Sequence, residues 1–226
     1  MAILYIIGTP IGNLGDMTYR AVETLKTVDL VACEDTRRTL KLLSRFGIRA
    51  PLISCRAGNE ARIAEKLVAR LDDGKTAAYA SDAGTPAISD PGAALVRLVV
   101  KAGHQVIPIP GPSAFASLVS VCGGRDKQVL FEGFLSPKAG RRRSRLKELL
   151  DMQVAFVLYE SPFRILKVLE DLVEFDRERY ICVGREMTKL HEEYLRGSAA
   201  EICALLAEKH EQIGEFSIFV SGNKAE

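Results

Sequence analysis

Through the first half of the chain, apolar runs of strand length alternate with amphipathic runs of helical length, and few folds accommodate that pattern. "AILYIIG" reads as a strand, "TYRAVETLKT" as a helix, "VDLVACE" as a strand and "TRRTLKLLSRFG" as a helix closed by Gly47. "RIAEKLVARLDDG" is then helical, "KTAAYAS" a strand, "GAALVRLVVKAG" a helix ended by Gly103, "QVIPIP" a strand and "SAFASLVSVCGG" a helix. A strand that returns to its sheet through a helix must cross over. The pattern therefore predicts an α/β domain over residues 1–123, its sheet mainly parallel with helices on both faces. "GGRDKQ" and "GFLSPKAGRRR" break the alternation with Gly, Pro and charge, and mark a domain boundary. Beyond it, "VAFVLYE", "RYICVGRE", "EEYLRGS" and "GEFSIFVSG" read as strands, with helices "RILKVLEDLVEF" and "AAEICALLAEKH" among them. Two strand candidates lie adjacent there, so residues 124–226 are expected to form a second, mixed α/β domain with a partly antiparallel sheet.

Composition supports an ordinary folded chain: 226 residues, 47% apolar, enough to bury a core. No apolar run reaches the ~18 residues of a membrane span, and "MAILYIIGTP" lacks the basic head and long apolar body of a secretory signal. A soluble, cytoplasmic protein without a membrane partner is expected. The cysteines, Cys33, Cys55, Cys122, Cys182 and Cys203, are scattered and never form C-x-x-C. Neither a disulfide framework nor a metal site follows, and reduced, mostly buried thiols are expected. The net charge of +2 does not announce a nucleic-acid binder, but its distribution is uneven. Arg141, Arg142, Arg143 and Arg145 crowd "KAGRRRSRLK" between Lys138 and Lys147. Such a run is either a solvated helix face or a phosphate-binding patch. At a helix start it opposes the dipole, which favours acids there, and so points to RNA phosphate.

Parallel sheets bind ligands outside the carboxyl ends of their strands. Here those ends carry "GTPIGNLGD", "CEDTR", "SDAGTP" and "PGPSA". Glycines at 8, 12, 84 and 111 allow backbone to approach a ligand, and prolines at 10, 86, 110 and 112 fix loop shape. Taken singly each loop is a turn; gathered at one sheet edge they form a candidate cradle, with the Asp82 carboxylate and backbone N–H groups presented to a small polar molecule. The loops match neither G-x-G-x-x-G nor G-x-x-x-x-G-K-[ST], so dinucleotide and P-loop cradles are absent.

These motifs carry a resemblance. "LYIIGTPIGNLGD", "CEDTR", "SDAGTP", "PGPSA", "GFLSP", "YESPFR", "REMTKLHEE" and "GEFSIFVSG" occur in the order and spacing of the tetrapyrrole-methylase superfamily. The chain most resembles the branch that 2′-O-methylates a decoding-region cytidine of 16S rRNA. The resemblance implies S-adenosylmethionine in a cleft between two α/β domains, with 16S rRNA or the small ribosomal subunit as partner and a homodimer as the working form. It implies cofactor contacts from Pro10, Asp82, Ala83, Gly84, Thr85, Ser113 and Ala114 in the first domain, and from Tyr159, Glu160 and Ser161 in the second. Two departures stand out. Arg56, Ala57 and Gly58 occupy positions where relatives commonly read His-x-His, and the chain stops at Glu226 where many relatives continue.

Methylating a ribose hydroxyl requires in-line alignment and removal of a proton. Glu34, Asp35 and Arg37 of "CEDTR" are the candidates, and His191 of "KLHEE" is a further possible base. Asp35 has a second reading, as the N-cap of the helix starting at Thr36. Two other functions stay open on the residues alone: methylation of a small tetrapyrrole-like substrate, and a non-catalytic cofactor- or RNA-binding module.

Overall fold

A computed structural model describes residues 2–209 and 212–222. The chain divides into two compact units, Met1–Ser113 and Ala114–Glu226. In the first, β1 (Ile3–Ile7), β2 (Leu30–Cys33), β3 (Leu52–Ser54), β4 (Ala77–Ala80) and β5 (Gln105–Ile109) form a sheet in the order β3-β2-β4-β1-β5. Every neighbouring pair is parallel, as crossover helices require. The connections are α1 (Tyr19–Thr27), α2 (Thr36–Arg45), α3 (Glu60–Asp72) and α4 (Ala93–Lys101).

β4 explains why helices flank both faces. All of "AAYA" is buried, and successive side chains leave a strand on opposite sides. Ala77 and Tyr79 join the core made with Ile63, Leu67 and Leu71 of α3 and Leu95 and Val99 of α4. Ala78 and Ala80 join the opposite core, with Ala21 and Leu25 of α1 and Leu43 of α2. A fully buried leucine such as Leu67 or Leu43 anchors its helix, and truncating one to Ala costs about 2–5 kcal/mol.

The second unit holds α5 (Ala114–Val121), β6 (Val129–Phe134), α6 (Ala139–Asp151), β7 (Ala155–Glu160), α7 (Ile165–Asp176), β8 (Tyr180–Arg185), β9 (Glu193–Ser198), α8 (Ala199–Glu208) and β10 (Phe216–Val220). Its sheet order is β6-β7-β10-β8-β9; β6–β7 is parallel and the other pairs are antiparallel. The mixed sheet follows from β8 and β9 being adjacent in sequence. The division falls before α5 rather than after it, at 113/114 and not at 123/124, because α5 lies against β8 and β10. Its Phe115 also stacks edge-on against Phe131 of β6, centroids 5.3 Å apart.

The sequence pattern predicts neither β3 nor β6. The first is a three-residue edge strand, and the second is interrupted by a bulge between Phe131 and Gly133. Cys33, Cys55, Cys122 and Cys182 are buried thiols. Among the described residues no helix is long and apolar enough to cross a membrane, and no group of three His, Cys, Asp or Glu side chains is placed to hold a metal ion.

Candidate functional site

Parallel strands bring the first unit's Gly/Pro loops to one sheet edge, and backbone contacts then knit them together. Gly8 N–H donates to the Ile109 carbonyl at 3.0 Å. A Cβ on Gly8 would lie 2.7 Å from the Gly111 backbone, and one on Gly111 would lie 2.7 Å from Gly8 O, so only glycine permits this crossing of the first and fifth strand ends. Thr9 and Gly84 exchange N–H···O bonds of 2.9 and 3.0 Å, while the buried Thr9 hydroxyl donates to the Ser81 carbonyl at 3.2 Å. Gly84 holds φ +77°, which lets the "SDAGTP" turn fold against Ile11. The Thr85 hydroxyl reaches the Pro112 carbonyl at 3.4 Å. "SDPG", at the end of the same loop, serves α4: the N–H groups of Gly92, Ala94 and Leu95 all donate to Glu60 Oε1 at 2.9–3.1 Å.

The ends of β2 and β4 are stitched reciprocally. Asp82 N–H donates to the Glu34 carboxylate at 3.1 Å, and Asp35 N–H donates to the Asp82 carboxylate at 3.0 Å. Arg38 pairs with the other Asp82 oxygen at 3.2 Å. Both Asp82 oxygens thus have partners inside the unit. Burial raises the Glu34 carboxyl above its ordinary value, and the nearby carboxylates of Asp90 and Asp82 add to the rise. Burial likewise raises Asp90. The Glu34 carbonyl is fixed too, accepting from Ser54 Oγ at 3.2 Å and from Arg56 Nε at 3.0 Å. Arg56, one of the departures noted above, therefore buttresses the "CEDTR" loop.

Asp35 is the N-cap of α2, its side chain accepting from Arg37 N–H at 2.8 Å. Its carboxyl falls to about 2 because the Arg37 guanidinium and backbone N–H both bond it. Arg37 folds back onto Asp35 at 3.1 Å with 85% of its side chain exposed. Arg38, one residue on, turns instead toward Asp82 and lines a cavity of about 320 Å³ with Thr9, Pro10, Ile11, Gly12, Leu14, Thr39, Lys41, Leu42, Ser81, Asp82 and Ala83. Pro10, Asp82 and Ala83, expected at the cofactor, line this cavity. Gly84 and Thr85 belong to the same turn, and Ser113 closes the first unit. Sequence reasoning missed Arg38 and Lys41; a helical wheel begun at the Asp35 cap separates residues 37 and 38 by about 100°.

In the second unit, Ala114 opens α5. Tyr159 Oη accepts from Phe115 N–H at 2.9 Å, and Phe131 and Phe134 pack edge-on around the ring. Glu160 is buried and committed, pairing with Arg164 at 2.6 Å and accepting from Ser161 N–H at 2.7 Å. In "REMTKLHEE", Glu186 and Thr188 hold φ +48° and +67°, a conformation costly for a β-branched residue such as Thr188, and His191 is exposed.

Three arginines of the run expected at RNA phosphate have carboxylate partners within the unit. Arg142 is buried and bonds Asp171 of α7 at 2.7 Å. Arg143 pairs with Asp171 at 2.8 Å and also with Glu174, and Arg145 pairs with Glu132 of β6 at 2.8 Å and Glu148 at 3.0 Å. These three guanidiniums are paired within the unit, while Lys138 and Lys147 beside them are exposed. Of the four arginines, Arg141 is exposed.

Residues 3–203 match the family model described as Tetrapyrrole (Corrin/Porphyrin) Methylases. The chain belongs to this family. It is 48% identical over 220 residues to the Ribosomal RNA small subunit methyltransferase I of Borrelia garinii subsp. bavariensis, spanning 97% of this chain and 98% of the relative. It is 43% identical over 224 residues to the protein of that name from Thermotoga maritima, spanning 99% and 100%. Among solved structures, a diphthine synthase superposes with TM-score 0.71 at 13% identity, covering 100% of this chain and 92% of that one. A cobalt precorrin-4 methyltransferase superposes at 0.67 and 16%, covering 97% and 94%. At such identities these two speak for the fold alone.

Proposed function

We propose that this chain is an S-adenosylmethionine-dependent methyltransferase of small-subunit ribosomal RNA, acting on the ribose 2′-hydroxyl of a decoding-region cytidine. The near full-length identity to the Borrelia and Thermotoga proteins carries the reading. The cavity suits the donor. Pro10, Ile11, Leu14 and Leu42 supply apolar wall for an adenine, while Asp82, Ser81 and Thr9 supply polar groups for a zwitterionic tail. Gly84 holds φ +77°, a conformation L side chains rarely adopt, so the wall there depends on a glycine. When bound, S-adenosylmethionine offers an electrophilic methyl on a sulfonium.

The chain's own part is to orient the hydroxyl and take its proton. Glu34 is the base in this reading: a desolvated carboxylate with a raised pKa is a better proton acceptor than an exposed one. Asp82 N–H and the bonds to the Glu34 carbonyl hold it in place. Asp35 positions α2, and Arg37 braces that cap. The enzyme works in the cytoplasm as a homodimer, an assembly that light scattering tests. Labelled methyl transfer into purified small subunits and into free 16S rRNA, followed by mass spectrometry of the nucleosides, tests the activity. A 2′-O-methylcytidine is the expected product. A base-methylated nucleoside, or transfer only to tetrapyrroles, would replace this reading.

A further inference from the structure

Helix α2 contains Arg37, Arg38, Lys41 and Arg45 and no acidic residue. Arg38, Lys41 and Arg45 sit at i, i+3 and i+7, one stripe of the helix, while Thr39 and Leu43 form its buried side. All of the cations are exposed. Half of them are paired, both in the N-terminal turn. Arg37 meets its cap Asp35, Arg38 meets Asp82, and Lys41 and Arg45 have no hydrogen-bond or ion-pair partner among the described residues. Like charges at this spacing repel, and Arg37 and Arg38 in the first turn oppose the helix dipole while only Arg45, in the last turn, complements it, so helix stability does not account for the stripe as a whole. The same stripe runs into the cavity, whose lining includes Arg38 and Lys41.

We infer that the exposed face of α2 is the docking surface for the sugar–phosphate backbone of the RNA strand, running from Arg45 toward the cavity mouth at Arg38. The inference rests on the rRNA reading above and adds the surface that reading lacks. A chain of phosphates supplies one anion per nucleotide, a repeating charge that a helical stripe of cations matches. Lys and Arg contacts of this kind give affinity and register without reading sequence.

The test compares the wild type with Arg45→Gln and with Lys41→Gln/Arg45→Gln, measuring binding to 16S rRNA by filter retention over a salt series. The slope of log affinity against log salt is expected to fall by roughly one unit in the single variant and two in the double, at about 0.7–0.9 per phosphate contact. Arg45 lies outside the cavity, so the single variant is expected to keep wild-type S-adenosylmethionine affinity by calorimetry. Unchanged slopes in both variants, with the wild type binding rRNA, overturn the docking surface and leave the rRNA reading standing. A wild type that neither binds nor methylates rRNA overturns that reading, and the surface with it. If poly-glutamate displaces rRNA as well as a ribo-oligonucleotide of equal charge does, the face takes an acidic protein and the assignment to RNA fails.

Discussion

Two helices carry most of the clustered positive charge in this chain, and the structure treats them in opposite ways. On α6, Arg142, Arg143 and Arg145 each reach a carboxylate supplied by α7, by β6 or by α6 itself. On α2, the pairs are confined to the N-terminal turn, through Asp35 and Asp82. The denser run is thus structural, and the sparser one is left open to solvent. Charge density along a sequence says how many cations there are. Whether they are available depends on which acids fold back onto them, and those acids lie elsewhere in the chain. The contrast yields a rule for substitutions: changes on α6 should move stability, while changes around α2 should move binding and rate.

The largest effect is expected at Arg142. Replacing it with Gln leaves the buried Asp171 with only the partly exposed Arg143, and breaking a buried pair costs about 3–5 kcal/mol. Chemical denaturation should report that loss, on the order of 100-fold or more in the folding constant. Loss below about 1 kcal/mol would mean that α6 resembles α2 after all.

Next comes Glu34→Gln, for which the rule predicts the reverse. Methyl transfer in single turnover should fall by ~100-fold, the low end for a general base, with little change in melting temperature. The wild-type rate should also show an acidic limb. Glu34 must be ionised to accept a proton, and its carboxyl is raised by burial, so the rate rises with pH through a value above the ordinary ~4.3 for Glu. The stability sign is opposite. A carboxyl raised on folding favours the folded state below its unfolded value, and that contribution is lost as pH climbs through the folded value. Stability and rate should therefore diverge over the same window, and a limb at the ordinary Glu value would remove Glu34 as the base.

Asp82→Ala sits between the two classes, because Asp82 both lines the cavity and joins the β2 and β4 ends. The Asp35 N–H loses its acceptor and Arg38 its partner. We expect a stability loss of roughly 1–3 kcal/mol, together with weaker S-adenosylmethionine binding by about tenfold. Calorimetry beside thermal melts separates the two. A binding loss with no stability loss would show that the stitch is dispensable and that the carboxylate serves the ligand alone.

Much of the fold was legible because strands β1, β2, β4 and β5 are apolar runs between amphipathic helices, a pattern set by local burial. β3 and β6 escaped notice because edge strands are short or bulged and need no continuous apolar run. The Gly/Pro loops were legible as places where the backbone demands glycine, although Gly8 and Gly111 serve their approach to each other. The partnership of Glu34 with Asp82 was not. It exists because β2 lies beside β4, a neighbour relation fixed by sheet topology rather than by sequence order. The role of α6 was hidden for a similar reason: Asp171 and Glu174 lie across β7, on the next helix.

The smallest expected effect falls on Arg141, and it probes the contrast most sharply. Arg141 belongs to the arginine run yet is exposed, so it tests whether α6 is closed to RNA as a helix or only at its paired residues. Its removal breaks none of the α6 ion pairs described here, so Arg141→Gln should stay within about 0.5 kcal/mol of wild-type stability. If phosphate docking is confined to α2, the salt slope for 16S rRNA should also match the wild type, while Arg45→Gln lowers it by roughly one unit. A comparable fall for Arg141→Gln would place an α6 residue on the phosphate path. The difference between the helices would then be one of degree: α6 would keep Arg141 and Lys147 for RNA with three arginines held by acids within the unit, and α2 would keep Lys41 and Arg45 of its four cations.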